Sequence, residues 1–426
     1  MAAPLRSAGA AASTAAKSGI FTPRAVFEVT SSLPRSYYLG HHVSALASMR
    51  KILSSISLIL ECRDSRIPIT SANPLLETAL AGRDRIIVYT KSNLLAPGGN
   101  RQRVLKEQRQ LLGDFHAGRL TGSGVFASEE QEDELDNEDG WEIQPGARRP
   151  KSSRREEQDR DAEGGPARTT VVFTDQSNLR SINQLIETIK QRAVAAESLT
   201  GLRAMVVGMP NSGKSSLLNV LRRVGMSPEL PNAARTGAEP GVTRKLSTPV
   251  RVIPEDTAAG IDSGVFVVDA PGVFVPYVSD VEAMLKLSLV GCVKDGLVPA
   301  ETIADYLLFQ MNLRDPTMYG ELSAPTNDPL VFLENIALRT GKLEKGGLPN
   351  IVQAADWIVQ QWRGGFVGRF GLDEVSETAL RARALKDARG ESDGPVSMNQ
   401  ARKRIKEARK EKQAAKRGAA KGGGIV

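Results

Sequence analysis

Along the 426-residue chain, short runs of β-branched and apolar residues alternate with longer stretches whose apolar positions recur every three or four residues. Five short runs, Leu58–Glu61, Arg85–Tyr89, Thr170–Phe173, Ala204–Val207 and Gly264–Val268, have the continuous apolarity of strands buried in a parallel sheet. Ser181–Ala195 and Ser215–Arg223 carry the helical period between them. The alternation predicts an α/β fold built on a doubly wound sheet. Farther on, Ile303–Met311, Pro329–Thr340 and Ile351–Arg363 read as helices. Trp357, Ile358, Trp362 and Phe366 form an apolar stripe between Gly346-Gly347 and Gly364-Gly365. A small C-terminal helical domain is expected there, with most of these aromatics in its core. The longest apolar run near the front, Ile52 to Leu60, is broken by serines and far short of the ~20 residues that span a bilayer. No transmembrane segment is expected.

A hydrophobic fraction of 41% suffices for a sizeable core and excludes global disorder. The two cysteines, Cys62 and Cys292, make no disulfide framework and lack metal-site spacing, which points to a reducing compartment. The net charge of +7 is compatible with a polyanionic partner, but its placement says more than its sum. The first 27 residues hold Arg6, Lys17 and Arg24 and no acid, among Ala, Ser and Thr, as a mitochondrial presequence does. Residues 129–139 hold eight acids in eleven positions, followed by a basic Gly/Pro/Ser-rich stretch. Residues 97–168 are therefore expected to form a disordered charged insertion. Residues 401–421 carry ten Lys/Arg against two acids and suit sequence-blind contact with a phosphate backbone. The expected organisation is a presequence over 1–27, an α/β domain over 28–320, a helical domain over 321–375 and a basic tail over 376–426.

Gly208-Met209-Pro210-Asn211-Ser212-Gly213-Lys214-Ser215 matches G-x-x-x-x-G-K-[ST] at every fixed position, with a strand before it and a helix from Ser216 onward. Backbone N–H groups across Ser212, Gly213 and Ser216, with the helix N-terminus, would cradle phosphate. Lys214 would reach the β and γ phosphates, and Ser215 would ligate Mg²⁺. Fifty-five residues after Lys214, a strand ends at Asp269-Ala270-Pro271-Gly272, which offers a Mg²⁺ carboxylate in Asp269 and a γ-phosphate amide in Gly272. Between them, Thr243 is the candidate switch residue of the metal shell. Val273 stands where many GTPases place a water-orienting glutamine, so that task falls elsewhere. Downstream of Gly272, the nearest base-reading candidate, Leu307 to Asp315, lacks a lysine. Upstream, Arg85 to Leu95 supplies a strand followed by Thr90, Lys91 and Asn93. The motif order then becomes circularly permuted, which costs little when the original termini are close together.

Glu61-Cys62-Arg63-Asp64-Ser65-Arg66-Ile67-Pro68 with Asn73-Pro74 is very similar to the signature of circularly permuted ribosome-assembly GTPases, and most like their mitochondrial ribosome-associated branch. The resemblance implies a P-loop GTPase that binds GTP and Mg²⁺ and promotes late maturation of the mitochondrial large ribosomal subunit. It also implies contact with that subunit's rRNA and a matrix location with peripheral contact to the inner membrane. The family's G-H element falls on Gly40-His41, making His41 the candidate for positioning water. Asn211 matches the asparagine that supports K⁺ near the phosphates in related GTPases. The remaining base element falls near Thr174-Asp175, where the family has Ser-Ala. Asn93 stands where the family has Asp. An amide offers one acceptor to guanine's two donors, which predicts weakened discrimination of GTP over ATP and improved binding of xanthosine triphosphate. A nucleotide-impaired scaffolding factor that binds rRNA and a P-loop ATPase of relaxed base specificity are the alternative readings.

Overall fold

The computed structural model describes residues 21–28, 33–34, 37, 40–120, 168–196, 198, 200–234, 237, 246–278, 280–388, 403 and 406. The chain divides into a larger unit, Val29–Pro299 with Gln361–Val426, and a smaller one, Met1–Glu28 with Ala300–Gln360.

In chain order the larger unit holds α1 (Gly40–Ile52), β1 (Leu58–Asp64), α2 (Pro74–Ala79), β2 (Arg85–Thr90), α3 (Gly98–His116) and β3 (Thr169–Phe173). Then come α4 (Leu179–Ala195), β4 (Leu202–Gly208), α5 (Lys214–Gly225), β5 (Val250–Ile253), β6 (Val265–Asp269) and α6 (Val281–Leu289). The strands make one sheet in the order β3-β2-β1-β4-β6-β5. Every pairing is parallel except β5 with β6. The strand before the phosphate loop, β4, thus lies at the centre of the sheet, between β1 from earlier in the chain and β6 from later. That is the permuted order expected, expressed as topology.

Strand alternation sorts the core onto two faces. Leu58, Leu60 and Cys62 of β1 join one cluster with Ile182, Leu185, Ile186, Ile189 and Ala193 of α4 and with Leu217, Leu218 and Leu221 of α5. The α4 residues recur at helical spacing, and Asn178 caps the helix by accepting from the Arg180 N–H. The opposite face packs Ile59, Met205, Val207 and Val268 against Ala45, Leu46 and Met49 of α1 and Leu76 of α2. A further cluster sets Ile87, Tyr89 and Phe173 against Leu112 of α3. Cys62 and Cys292 are buried free thiols.

The smaller unit contains α7 (Ala300–Arg314), α8 (Pro329–Thr340) and most of α9 (Ile351–Gly364). Asp328 caps α8, with Pro329 at its first position, where the missing N–H costs nothing.

Four expectations need correction. The insertion expected from residue 97 begins with helix α3, because Val104, Leu105, Leu111, Leu112 and Phe115 recur on one face amid the charges; residues 121–167 lie outside the described residues. The helical unit starts at Ala300 rather than 321 and ends at Gln360 rather than 375. Part of the expected tail folds as α10 (Glu377–Ala388) in the larger unit, with Leu380 buried beside Leu112. Residues 21–28, assigned almost wholly to the presequence, belong to the smaller unit. There Phe27 packs edge-on against Tyr306 at 5.3 Å, and the Arg24 N–H donates to Asn327 Oδ1. Of the aromatic stripe, Trp362 and Ile358 are buried, Trp357 is half-buried, and Phe366 is 80% exposed. Among the described residues, no helix is long and apolar enough to cross a membrane.

Candidate active site

The phosphate loop leaves β4 at Gly208 and enters α5 at Lys214. Its turn needs left-handed backbone at Asn211 (φ 55°) and Gly213 (φ 86°). Glycine at 213 also relieves crowding, since a Cβ there would sit 3.3 Å from Thr90. The Ser212 hydroxyl donates to Met209 O, and buried Lys214 donates through Nζ to the same carbonyl at 2.6 Å. Burial pulls the Lys214 pKa down, and Asp269 opposes that shift. Ser215 and Ser216 are half-buried on the first turn of α5.

At the end of β6, Asp269 Oδ2 accepts from the Ser215 hydroxyl at 2.6 Å. Its other oxygen, Oδ1, is buried without a hydrogen-bond partner among the described residues, and burial raises the carboxyl pKa. An orphaned carboxylate oxygen beside a hydroxyl is a hard-oxygen donor set, which fits Mg²⁺. Gly272 then runs so close to the loop that a Cβ would meet Pro210 Cα at 2.8 Å. Three contacts hold this crossing. Val273 N–H donates to Gly208 O at 3.2 Å, Asn73 Nδ2 donates to Val273 O at 2.8 Å, and His42 Nδ1 lies 3.0 Å from Gly272 O. The His42 ring packs edge-on against Tyr37 and near Phe274. The His41 side chain lies outside the described residues, as does Thr243, so neither is placed. His42, passed over in the sequence because the motif alignment favours its neighbour, is the histidine that meets Gly272.

The base-reading segment comes to the same loop from upstream. The Thr90 hydroxyl lies 2.8 Å from Ser212 O and 3.2 Å from Arg63 O. Lys91 has left-handed backbone (φ 57°), and its Nζ donates to Asn211 O and to Asp64 Oδ2, both at 2.9 Å. Asp64 is clamped by Arg66, whose Nε donates to Oδ1 and whose Nη2 donates to Oδ2. Burial would raise the Asp64 carboxyl pKa, but Arg66 and Lys91 outweigh it and hold it far below the usual range. Arg66 in turn lies 4.6 Å over the Trp362 ring. The signature around Asp64 thus acts as the mount for Lys91. No role could be given to Asp64 from spacing alone, because the lysine it holds is 27 residues away. Asn211 donates through Nδ2 to Gly291 O at 2.8 Å. Asn93 opens onto a cleft of about 670 Å³ lined also by Arg101, Asp175, Ser177, Arg180 and Arg369.

Residues 203–320 match the family described as 50S ribosome-binding GTPase. The "Mitochondrial GTPase 1" of Schizosaccharomyces pombe is 34% identical over 85% of this chain and 96% of its own. The "Mitochondrial ribosome-associated GTPase 1" of Xenopus tropicalis is 27% identical over 79% of this chain and 94% of its own. Among solved structures, GNP-bound YlqF from T. maritima is similar at 17% identity and a TM-score of 0.43, over 78% of this chain and 99% of that one. That last likeness carries no argument about the site. Near-complete coverage of a relative more than 30% identical leaves no room for a chance match of the phosphate loop alone. The chain belongs to the mitochondrial GTPase 1 family, as a mitochondrial enzyme that binds and hydrolyses GTP.

Proposed function

We propose that this GTPase is a switch in mitochondrial ribosome biogenesis, acting late on the large subunit. The observation that supports it best is the junction of Thr90 with Ser212 and of Lys91 with Asn211, which sets base and phosphate elements side by side. On this reading Ser212, Gly213 and Ser216 turn backbone N–H groups to the phosphates. Lys214, now bonded to a loop carbonyl, exchanges that partner for phosphate oxygen. Ser215 and Asp269 hold Mg²⁺, which offsets phosphate charge, and Thr243 joins them in the GTP state. Asn211 holds K⁺ through its amide oxygen. Gly272 offers its N–H to the γ-phosphate while its carbonyl stays with His42, so the switch has a built-in reference point. His41 orients the attacking water in place of the apolar Val273. The basic tail and the helical unit meet rRNA in the matrix, at the inner-membrane face, and hydrolysis releases the particle.

The test is turnover and sedimentation with mitochondrial ribosomal particles. Large-subunit precursors should accelerate GTP hydrolysis, and a non-hydrolysable analogue should trap the protein on them. Lys214→Ala should lower stimulated turnover by about a hundredfold or more. Turnover indifferent to particles would contradict the switch and favour the scaffolding reading.

A further inference from the structure

The amide at position 93 leaves this site without the carboxylate that guanine's N1–H and exocyclic amine call for, yet an acid from elsewhere in the chain borders the same cleft. Asp175 follows β3 by two residues, and Asn93 follows β2 by three. These strands are parallel neighbours in register, with Tyr89 opposite Phe173. The loops beyond them are tied together by Thr174 N–H to Tyr89 O and by Ser92 N–H to Thr174 O. Both side chains therefore open at the carboxyl ends of adjacent strands and line one cleft.

We propose that Asp175 is the specificity-determining residue for the base, supplying the carboxylate that Asn93 cannot. The inference rests on reading this cleft as the base end of the GTP site. Asp175 is 7% exposed, and its orientation is set by Ser177, whose N–H and hydroxyl both donate to Oδ1, at 2.9 and 2.6 Å. Oδ2 takes no hydrogen bond from the described residues. One oxygen is thus the anchor and the other is the acceptor available to a ligand. With Asn93 Oδ1 as the second acceptor, the pair meets both guanine donors, one of them with charge assistance. Arg101, Arg180 and Arg369 border the cleft with donors only, which suits the O6 and N7 acceptors of guanine and not the amino group of adenine. In xanthine, by contrast, the exocyclic amine is replaced by the 2-oxo oxygen, an acceptor that would face the carboxylate. The gain for xanthosine triphosphate expected from Asn93 alone is therefore cancelled.

The experiment is calorimetric titration of the full chain with GTP, inosine triphosphate, xanthosine triphosphate and inorganic tripolyphosphate. The native protein should favour GTP over both base analogues. Asp175→Asn keeps an acceptor for Ser177, so the turn survives. It should nonetheless weaken GTP by roughly ten- to a hundredfold, strengthen xanthosine triphosphate and leave tripolyphosphate unchanged. Adding Asn93→Asp to that variant should restore GTP. Native protein that binds xanthosine triphosphate as tightly as GTP would overturn the assignment, as would an Asp175→Asn variant with unaltered base preference. If tripolyphosphate binds while Asp175→Asn changes nothing, only the base assignment falls. If tripolyphosphate does not bind the native chain, the nucleotide reading of the cleft falls with it.

Discussion

Thr90 ends β2, far from the phosphate loop in sequence, yet its hydroxyl is what joins the base-reading strand to Ser212. Thr90→Val preserves its volume and removes that bond. A neutral hydrogen bond contributes about 1 kcal/mol, so GTP should bind roughly fivefold more weakly with Lys214 intact. Calorimetry on the variant checks this, and unchanged affinity would mean the junction is incidental. Single residues were legible in the sequence where chemistry dictates spacing. Lys214, Ser215, Asp269 and Gly272 all lie around one loop, as their motifs require. Asp64, His42 and Asp175 were not legible in those roles, because each acts through a partner about 27 or more residues away or through a cleft shared by two loops.

The elements were legible where they are apolar and hidden where they are charged. Strand β1 runs on to Asp64 past the expected end at Glu61, since its charges are paired inside the protein. Arg63 Nε donates to Glu61 Oε1 at 2.7 Å, Arg63 also pairs with Glu77, and Arg85 reaches both acids. Burial would raise the Glu77 carboxyl pKa, but Arg63 and Arg85 pull it down to about 2. A depressed carboxyl contributes stability that is complete above its ordinary pKa of 4.5 and fades as pH falls toward 2. Thermal melting should therefore be flat in this respect above about pH 5 and drop between pH 4.5 and 2. Arg63→Leu leaves Glu61 in the core with Arg85 as its remaining partner, which should cost about 1.5–3 kcal/mol for the lost charge-assisted bond and blunt that acid transition. A variant with native stability and an unchanged acid limb would contradict the account. Helix α3 escaped notice for a related reason, as its apolar face is sparse beneath many charges. Residues 21–28 looked like leader by composition, but the smaller unit uses Phe27 and Arg24 as structure. Terminal sequencing of the mature mitochondrial protein should therefore find its first residue upstream of Thr22. A start beyond Phe27 would show that these contacts are dispensable.

Across the whole molecule, permutation is what makes the site intelligible. The central strand β4 takes its neighbours from both directions of the chain, so residues before and after the phosphate loop converge on it. Motif order was readable because β2, β4 and β6 are short apolar runs ending in recognisable motifs, whereas the four-residue, partly exposed β5 gave no such signal. The boundary of the helical unit was not readable, since α7 is as apolar as the sheet's own helices and composition does not change at Ala300. The central claim is that one triphosphate-binding loop is served by a base reader encoded upstream of it. A crystal structure with a non-hydrolysable GTP analogue tests that most directly. The triphosphate should lie along Ser212–Ser216, with Lys91 beside the base and Asp175 and Asn93 at its edge. An occupied phosphate loop with the base turned away from Thr90–Asn93 would contradict it.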